Sequence, residues 1–191
     1  MLRRPIIVIG VILTIVIMTM LIFRIIGGLR GGEERLPERP KPLSEYAWTD
    51  AKVRMTTVGT INSNEMHRVL QITVGRDNVE AVVMAGYQGR VIKSERFGNN
   101  PEAYKSFLSA LDTVNFTHTQ QPAPGANELG SCPQGQRYVF EIYDPEKTIL
   151  YSWSTSCSKR LGSFGGNITQ TRVLFQAQVP DYNDFVWGVR L

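Results

Sequence analysis

VRMTTVGTINSNEMHRVLQITVGRDNVEAVVMAGYQGRVIKSERF, residues 53–97, decides the fold. It holds four runs rich in β-branched residues: Val53–Ile61, Met66–Val74, Val79–Tyr87 and Arg90–Phe97. Between them lie Asn62-Ser63-Asn64, Gly75-Arg76-Asp77-Asn78 and Gln88-Gly89, residue types that turn a chain. Connections this short join antiparallel neighbours and leave no room for crossover helices. Leu70, Ile72 and Val74 alternate with polar residues, so the second run presents one apolar face.

A helix follows. Asn100 suits the N-cap, Pro101 the first helical position and Glu102 the positive end of the helix dipole. Tyr104, Phe107, Leu108, Leu111 and Val114 recur at helical spacing and make one apolar stripe, which reads as core and not as a cofactor box. Thr117–Gly135 is a long polar loop, a length that in compact domains often carries function. A second hairpin, Arg137–Tyr143 and Ile149–Thr155, turns at Asp144-Pro145-Glu146-Lys147. Residues 168–179 alternate as a strand would, yet Asn167 can cap a helix and Pro180 would end it; we read a helix. The closing FVWGVRL, Phe185–Leu191, alternates and reads as a last strand.

The expected fold is therefore α+β, an antiparallel sheet of six or seven strands with two helices packed on one face. A weak internal echo, Asn100 with FLSALDTVNF against Asn167 with LFQAQVPDYNDF, accompanies the two hairpin-then-helix units.

Upstream, PIIVIGVILTIVIMTMLIF (Pro5–Phe23) has nineteen residues without a charge, entered from Arg3-Arg4. As a helix it would span roughly 28 Å, close to a bilayer's hydrocarbon core. It is longer than a secretory signal's apolar centre and offers no small-x-small cleavage site, so a retained transmembrane anchor over residues 5–26 is expected. Residues 27–45, with their glycines, prolines and charges, read as a linker, and residues 46–191 as one domain. Arginines flank both ends of the span, four of them on its far side up to Arg39. The preceding tail is short, however, and translocation of a whole domain depends little on charge. We expect the amino terminus in the cytoplasm and the domain outside.

The net charge of +4 is local. Residues 1–30 hold four arginines and no acid, so 17 of the 21 basic groups remain to face all 17 acidic ones. The domain is thus balanced, and nucleic acid is excluded as a partner class. Cys132 and Cys157 stand just before and just after the second hairpin, on what would be adjacent strand ends, and a disulfide is expected. Two reduced, buried thiols are the alternative. A pair implies an oxidising compartment.

Chemical motifs are sparse. Ser156-Cys157-Ser158-Lys159 matches S-x-x-K, but the partner K-T-G is missing and a half-cystine lies inside it. Gly162-Ser163-Phe164-Gly165-Gly166 before a helix start resembles an anion-binding nest without the lysine of a phosphate loop. His67, read as mid-strand, and His118 in the loop read as solvent-facing, with no ligand spacing to either cysteine. No catalytic, cofactor-binding or metal-ligating residue is assigned, and no cofactor is expected.

CPQGQRYVFEIYDPEKTILYSWSTSCSKRLGSFGGN, followed by VLFQAQVPDY, resembles a pattern in uncharacterised single-span membrane proteins of candidate-phylum, Saccharibacteria-like bacteria. In these a C-P-x-G-x-R-Y strand, a W-S-T-S-C strand and an aromatic-PDY ending recur; the likeness covers Leu70–Val186. It implies a bacterial envelope protein with Cys132 paired to Cys157, and no activity. The expectation is a membrane-tethered extracytoplasmic binding or scaffold module of the cell envelope. Membrane lipid would meet its first helix, and a protein, peptide or envelope polymer its domain. The expected contact surface is Thr117–Gly130 or the Leu161–Gly166 loop, with Gln120, Gln121, Asn127, Glu128, Arg160 and Phe164 as the candidate residues. An envelope hydrolase with an unrecognised site, and a cytoplasm-facing membrane adaptor, are the competing readings.

Overall fold

The computed structural model describes residues 18–20 and 42–191. The chain divides into two units after Pro40, and the second, Lys41–Leu191, holds the whole sheet. The described residues form six strands: β1 (Lys52–Val58), β2 (Arg68–Val74), β3 (Asn78–Ala85), β4 (Arg90–Gly98), β5 (Arg137–Tyr143) and β6 (Thr148–Thr155). They make one sheet in the order β4-β3-β2-β1-β5-β6, with every pairing antiparallel. The tight turns of residues 53–97 thus build a four-stranded meander. After the excursion through α1 (Pro101–Thr113) the second hairpin returns to the free side of β1. The chain ends in α2 (Ile168–Gln176) and a single turn, α3 (Tyr182–Phe185).

Strand alternation sorts the side chains. Val53 stands between Val74 and Ile142, and Met55 between Ile72 and Phe140. All six are buried, and together they form the apolar face that the first strands announce. Tyr104, Phe107, Leu108 and Leu111 of α1 join the same core, as does Phe175 of α2. Phe107 and Phe175 meet edge to face at 5.2 Å, which joins the two helices. Each such buried ring contributes about 1.5–3 kcal/mol. Asn100 caps α1 as its sequence implies, accepting from the Ala103 N–H at 2.9 Å. The other face is mixed, with Val139 and Trp153 buried on it beside polar pairs: Arg54 lies 3.6 Å from Glu141, Arg96 lies 3.1 Å from Glu80, and Gln71 donates to Thr56 at 3.3 Å. These are cross-strand pairs in the registers observed.

Residues 168–176 are helical, with Asn167 accepting from the Gln170 N–H at 3.1 Å. The closing FVWGVRL is not a strand. Its first residue ends α3, Gly188 adopts φ +76°, and Trp187 is 87% exposed. The alternation there has no ladder to join, because the Asp184 and Phe185 N–H groups turn back onto the Asp181 carbonyl.

Leu43–Trp48, a 3₁₀ helix with Leu43 and Ala47 buried, docks onto the domain, so residues 43–45 belong to it although their composition is that of the linker. Among the described residues no helix is long and apolar enough to cross a membrane. The expected span over 5–26 lies outside them except for the helical Met18–Met20, as does the linker up to residue 41.

Candidate functional site

The polar loop 117–135 is zipped to the segment after β6. Thr119 and Phe164 form an antiparallel bridge. The Gln120 N–H donates to the Ser163 carbonyl at 2.8 Å, and the Ala123 N–H to that of Arg160 at 2.9 Å. The Gln120 side-chain amide donates to the carbonyls of Lys159 and Gly162 at 2.6 and 3.1 Å. Gln120 is therefore a clamp. Phe164, expected at the contact surface, is 1% exposed, with its ring centroid 4.2 Å from that of Phe140. It cannot reach a partner, because its loop folds an apolar side chain into the core instead of offering it. Gln121 and Arg160 are exposed beside this zipper, and Asn127 and Glu128 lie further along the loop.

The glycine-rich segment is built for close packing. A Cβ at Gly162 would strike the Trp153 carbonyl and come within 2.6 Å of Ser154 Cα. Three of the amides an anion nest would draw on are already used. Those of Phe164, Gly165 and Asn167 donate to the carbonyls of Trp153, His118 and Val114 at 2.8–3.0 Å. Cys132 and Cys157 are bonded to each other, with Cα atoms 5.8 Å apart, within the range a disulfide needs. This takes Cys157 out of the S-x-x-K motif, where Ser158 merely caps a 3₁₀ turn by accepting from the Arg160 N–H.

The disulfide also fixes one wall of a cleft. Residues 128–135 form a strap whose tip is held by Glu128. That carboxylate accepts from the Tyr151 hydroxyl at 2.6 Å, and Arg137 Nε stands 3.4 Å away as an ion pair. Arg137 also donates to the Glu128 carbonyl at 3.2 Å. Burial first, and the adjoining Glu128 second, push the Tyr151 hydroxyl well above the usual tyrosine range, so it stays a neutral donor to the carboxylate.

Opposite the strap stands an aromatic pair. His67, expected mid-strand and solvent-facing, is buried just ahead of β2. Its ring stacks under Tyr87 at 4.0 Å and 11°. His67 Nδ1 lies 3.3 Å from the Thr60 carbonyl, which can only accept, so Nδ1 carries the proton and Nε2 is the acceptor in the neutral ring. The Tyr87 hydroxyl donates to the Asn62 carbonyl at 2.8 Å and accepts from the Asn62 N–H at 3.1 Å, and the Tyr87 N–H donates to Asn64 Oδ1 at 3.0 Å. The ring is locked at both ends.

Between strap and platform lies a cleft of about 270 Å³, lined by Val58, Ile61, His67, Tyr87, Leu129 and Arg137 among others. Three apolar lining residues stand out to solvent: Ile61 is 57% exposed, Tyr87 55% and Leu129 74%. Leu129 lies in the expected loop Thr117–Gly130, though not among its named contact residues, while Ile61 and Tyr87 lie outside the expected contact surface. Leu129, the lone large apolar residue of the polar loop, is the one signal the sequence offers; nothing local marks Ile61 or Tyr87. Of the expected contact residues only Glu128 lines this cleft, and its carboxylate is spent on holding the strap. Among the described residues no cluster of three or more His, Cys, Asp or Glu side chains could hold a metal ion. A scan against protein-family models finds no match to this chain, and a search of curated proteins finds no significant one.

Proposed function

We propose that the protein is a membrane-tethered binding module of the bacterial cell envelope, anchored by residues 5–26, with the domain outside the cytoplasm. In this reading the cleft between Tyr87 and Leu129 receives one apolar side chain of a partner protein or peptide. The observation that carries it is the rigid His67–Tyr87 platform facing an exposed Leu129. An immobilised aromatic offers contact area at little cost in conformational entropy, the property of an interface anchor. The volume, about 270 Å³, is below the usual range for small-molecule sites and suits a single large side chain. The Cys132–Cys157 bond supports an oxidising compartment, and the uncharged run Pro5–Phe23 supports the tether.

A photo-crosslinking residue placed at Leu129 in the full chain tests the site. The expected result is one defined adduct that is lost in Tyr87→Ala, with no such adduct from Lys105 on α1. The same adducts from both positions would refute the assignment. Protease added to intact spheroplasts should digest the domain; protection of the domain would reverse the orientation.

A further inference from the structure

The two edges of the sheet are finished differently. On β6 the Trp153 N–H donates to Ser163 Oγ at 3.1 Å, and the Trp153 carbonyl accepts from the Phe164 N–H at 2.9 Å. On β4, among the described residues, no backbone bond caps the outer side. The direction of its groups follows from one contact: the Asn99 N–H donates to the Asp77 carbonyl at 3.0 Å, in register with the β3–β4 ladder. Backbone direction alternates along a strand, so Lys93, Glu95 and Phe97 face β3 while Ser94, Arg96 and Gly98 point their N–H and C=O groups outward. A nine-residue edge with this open row is a template for another strand.

We propose that the occupant is a second copy of this chain, with β4 pairing antiparallel to its counterpart about a two-fold axis at Ser94. An axis perpendicular to the sheet keeps each copy's faces aligned, so residue pairs must sum to twice the central position. Centred on Ser94, the two serines exchange backbone hydrogen bonds. Lys93 then stands opposite the other copy's Glu95, and Glu95 opposite its Lys93, at the close, non-hydrogen-bonded spacing where side chains interact most. The charges are self-complementary at this register: one residue type answers the other twice. Shifting the centre to Arg96 would set Glu95 against Phe97, with no such match. Within one chain Lys93 Nζ already lies 3.7 Å from Glu95 and donates to the Phe185 carbonyl at 2.9 Å, so its ammonium is held at the edge and not free to wander. The irregularity between Val83 and Met84 leaves Ile92 unpaired on β3. Ile92 sits at the end of the proposed contact, opposite the aliphatic stem of Arg96.

The test is a Ser94→Cys variant of the full-length chain under a mild oxidant, with Ser109→Cys on the exposed side of α1 as the control. Ser94→Cys is expected to give a reducible species of twice the chain's mass, and Ser109→Cys to stay single. In the Ser94→Cys background, Lys93→Glu and Glu95→Lys are each expected to lower the dimer yield about tenfold, because like charges then face each other. The Lys93→Glu/Glu95→Lys exchange should restore it. Glu95→Lys leaves the Lys93–Phe185 contact in place, so loss in that variant reports pairing and not docking of α3. No more dimer from Ser94→Cys than from Ser109→Cys, an adduct to a protein of another mass, or no recovery in the exchange would each overturn the proposal.

Discussion

The Leu43 backbone N–H donates to Asp112 Oδ2 at 3.1 Å, which ties the first docked turn of the domain to the last turn of α1. A carboxylate at this end of a helix faces the negative end of the dipole. Burial raises the Asp112 pKa above its ordinary value, and the Leu43 bond opposes the rise without cancelling it. The native state therefore holds this proton to higher pH than the unfolded chain does. The associated stabilisation is complete below the unfolded value of 3.8 and is lost as pH rises through the folded one. Asp112→Asn keeps an acceptor without the charge and should be slightly more stable than wild type at pH 7, the gap closing as pH falls toward 4. Asp112→Ala should lose about 1 kcal/mol. Urea unfolding at the two pH values reads both; an Asp112→Asn protein less stable than wild type at neutral pH would contradict the sign.

Tyr87→Phe removes both hydrogen bonds to Asn62 but keeps the ring over His67. The expected loss is about 1 kcal/mol, with binding at the cleft preserved. Tyr87→Ala uncovers the buried imidazole and should cost about 2–4 kcal/mol. Equal losses in chemical denaturation would mean the stacked ring contributes nothing.

Removing the Cys132–Cys157 bond with a double serine variant opens a loop of sequence separation 25. The expected cost is roughly 3 kcal/mol on the chain-entropy account. Hydrogen exchange should then quicken across residues 128–135, the strap, and stay unchanged at Phe107 and Leu108 in the core. Exchange that is slow at the strap in the reduced protein would show that Glu128 holds it unaided.

Two glycines make a matched pair. Gly162→Ala drives a methyl group into the Trp153 backbone and should destabilise by about 2 kcal/mol or more. Gly98→Ala, which meets nothing within 4 Å, should be neutral or gain about 0.5 kcal/mol through the unfolded chain. Thermal melts of the two variants decide it, and comparable losses at both positions would remove the packing argument.

Where local chemistry decides structure, the chain can be read directly. Asn100-Pro101, Asn167, and the turns at Gly75-Arg76-Asp77 and Asp144-Pro145 act within a few residues, and each element they bound is present, although the second long helix ends at Gln176, short of Pro180. The cysteines flanking a hairpin are legible for the same reason, since an antiparallel register brings its ends together. His67 and Phe164 depart from their local reading because burial outside regular elements is set by what the rest of the chain lays over them. Tyr87 covers His67 from 20 residues away, and Phe140 and Phe116 enclose Phe164. The cleft is the extreme case. Its walls come from the end of β1, the turn before β2, the turn after β3 and the strap, segments that meet only once the β1–β5 pairing has formed.

The Ser163–Phe164 segment occupies the outward backbone groups of Trp153 on β6, so a further strand cannot run the length of that flank without displacing it. With one edge interrupted at Trp153 and the other taken up in the proposed β4 pairing, each copy adds one neighbour at its open side. Runaway fibril growth, the hazard of every bare sheet, would have to continue through β6, where Ser163 and Phe164 stand in the way.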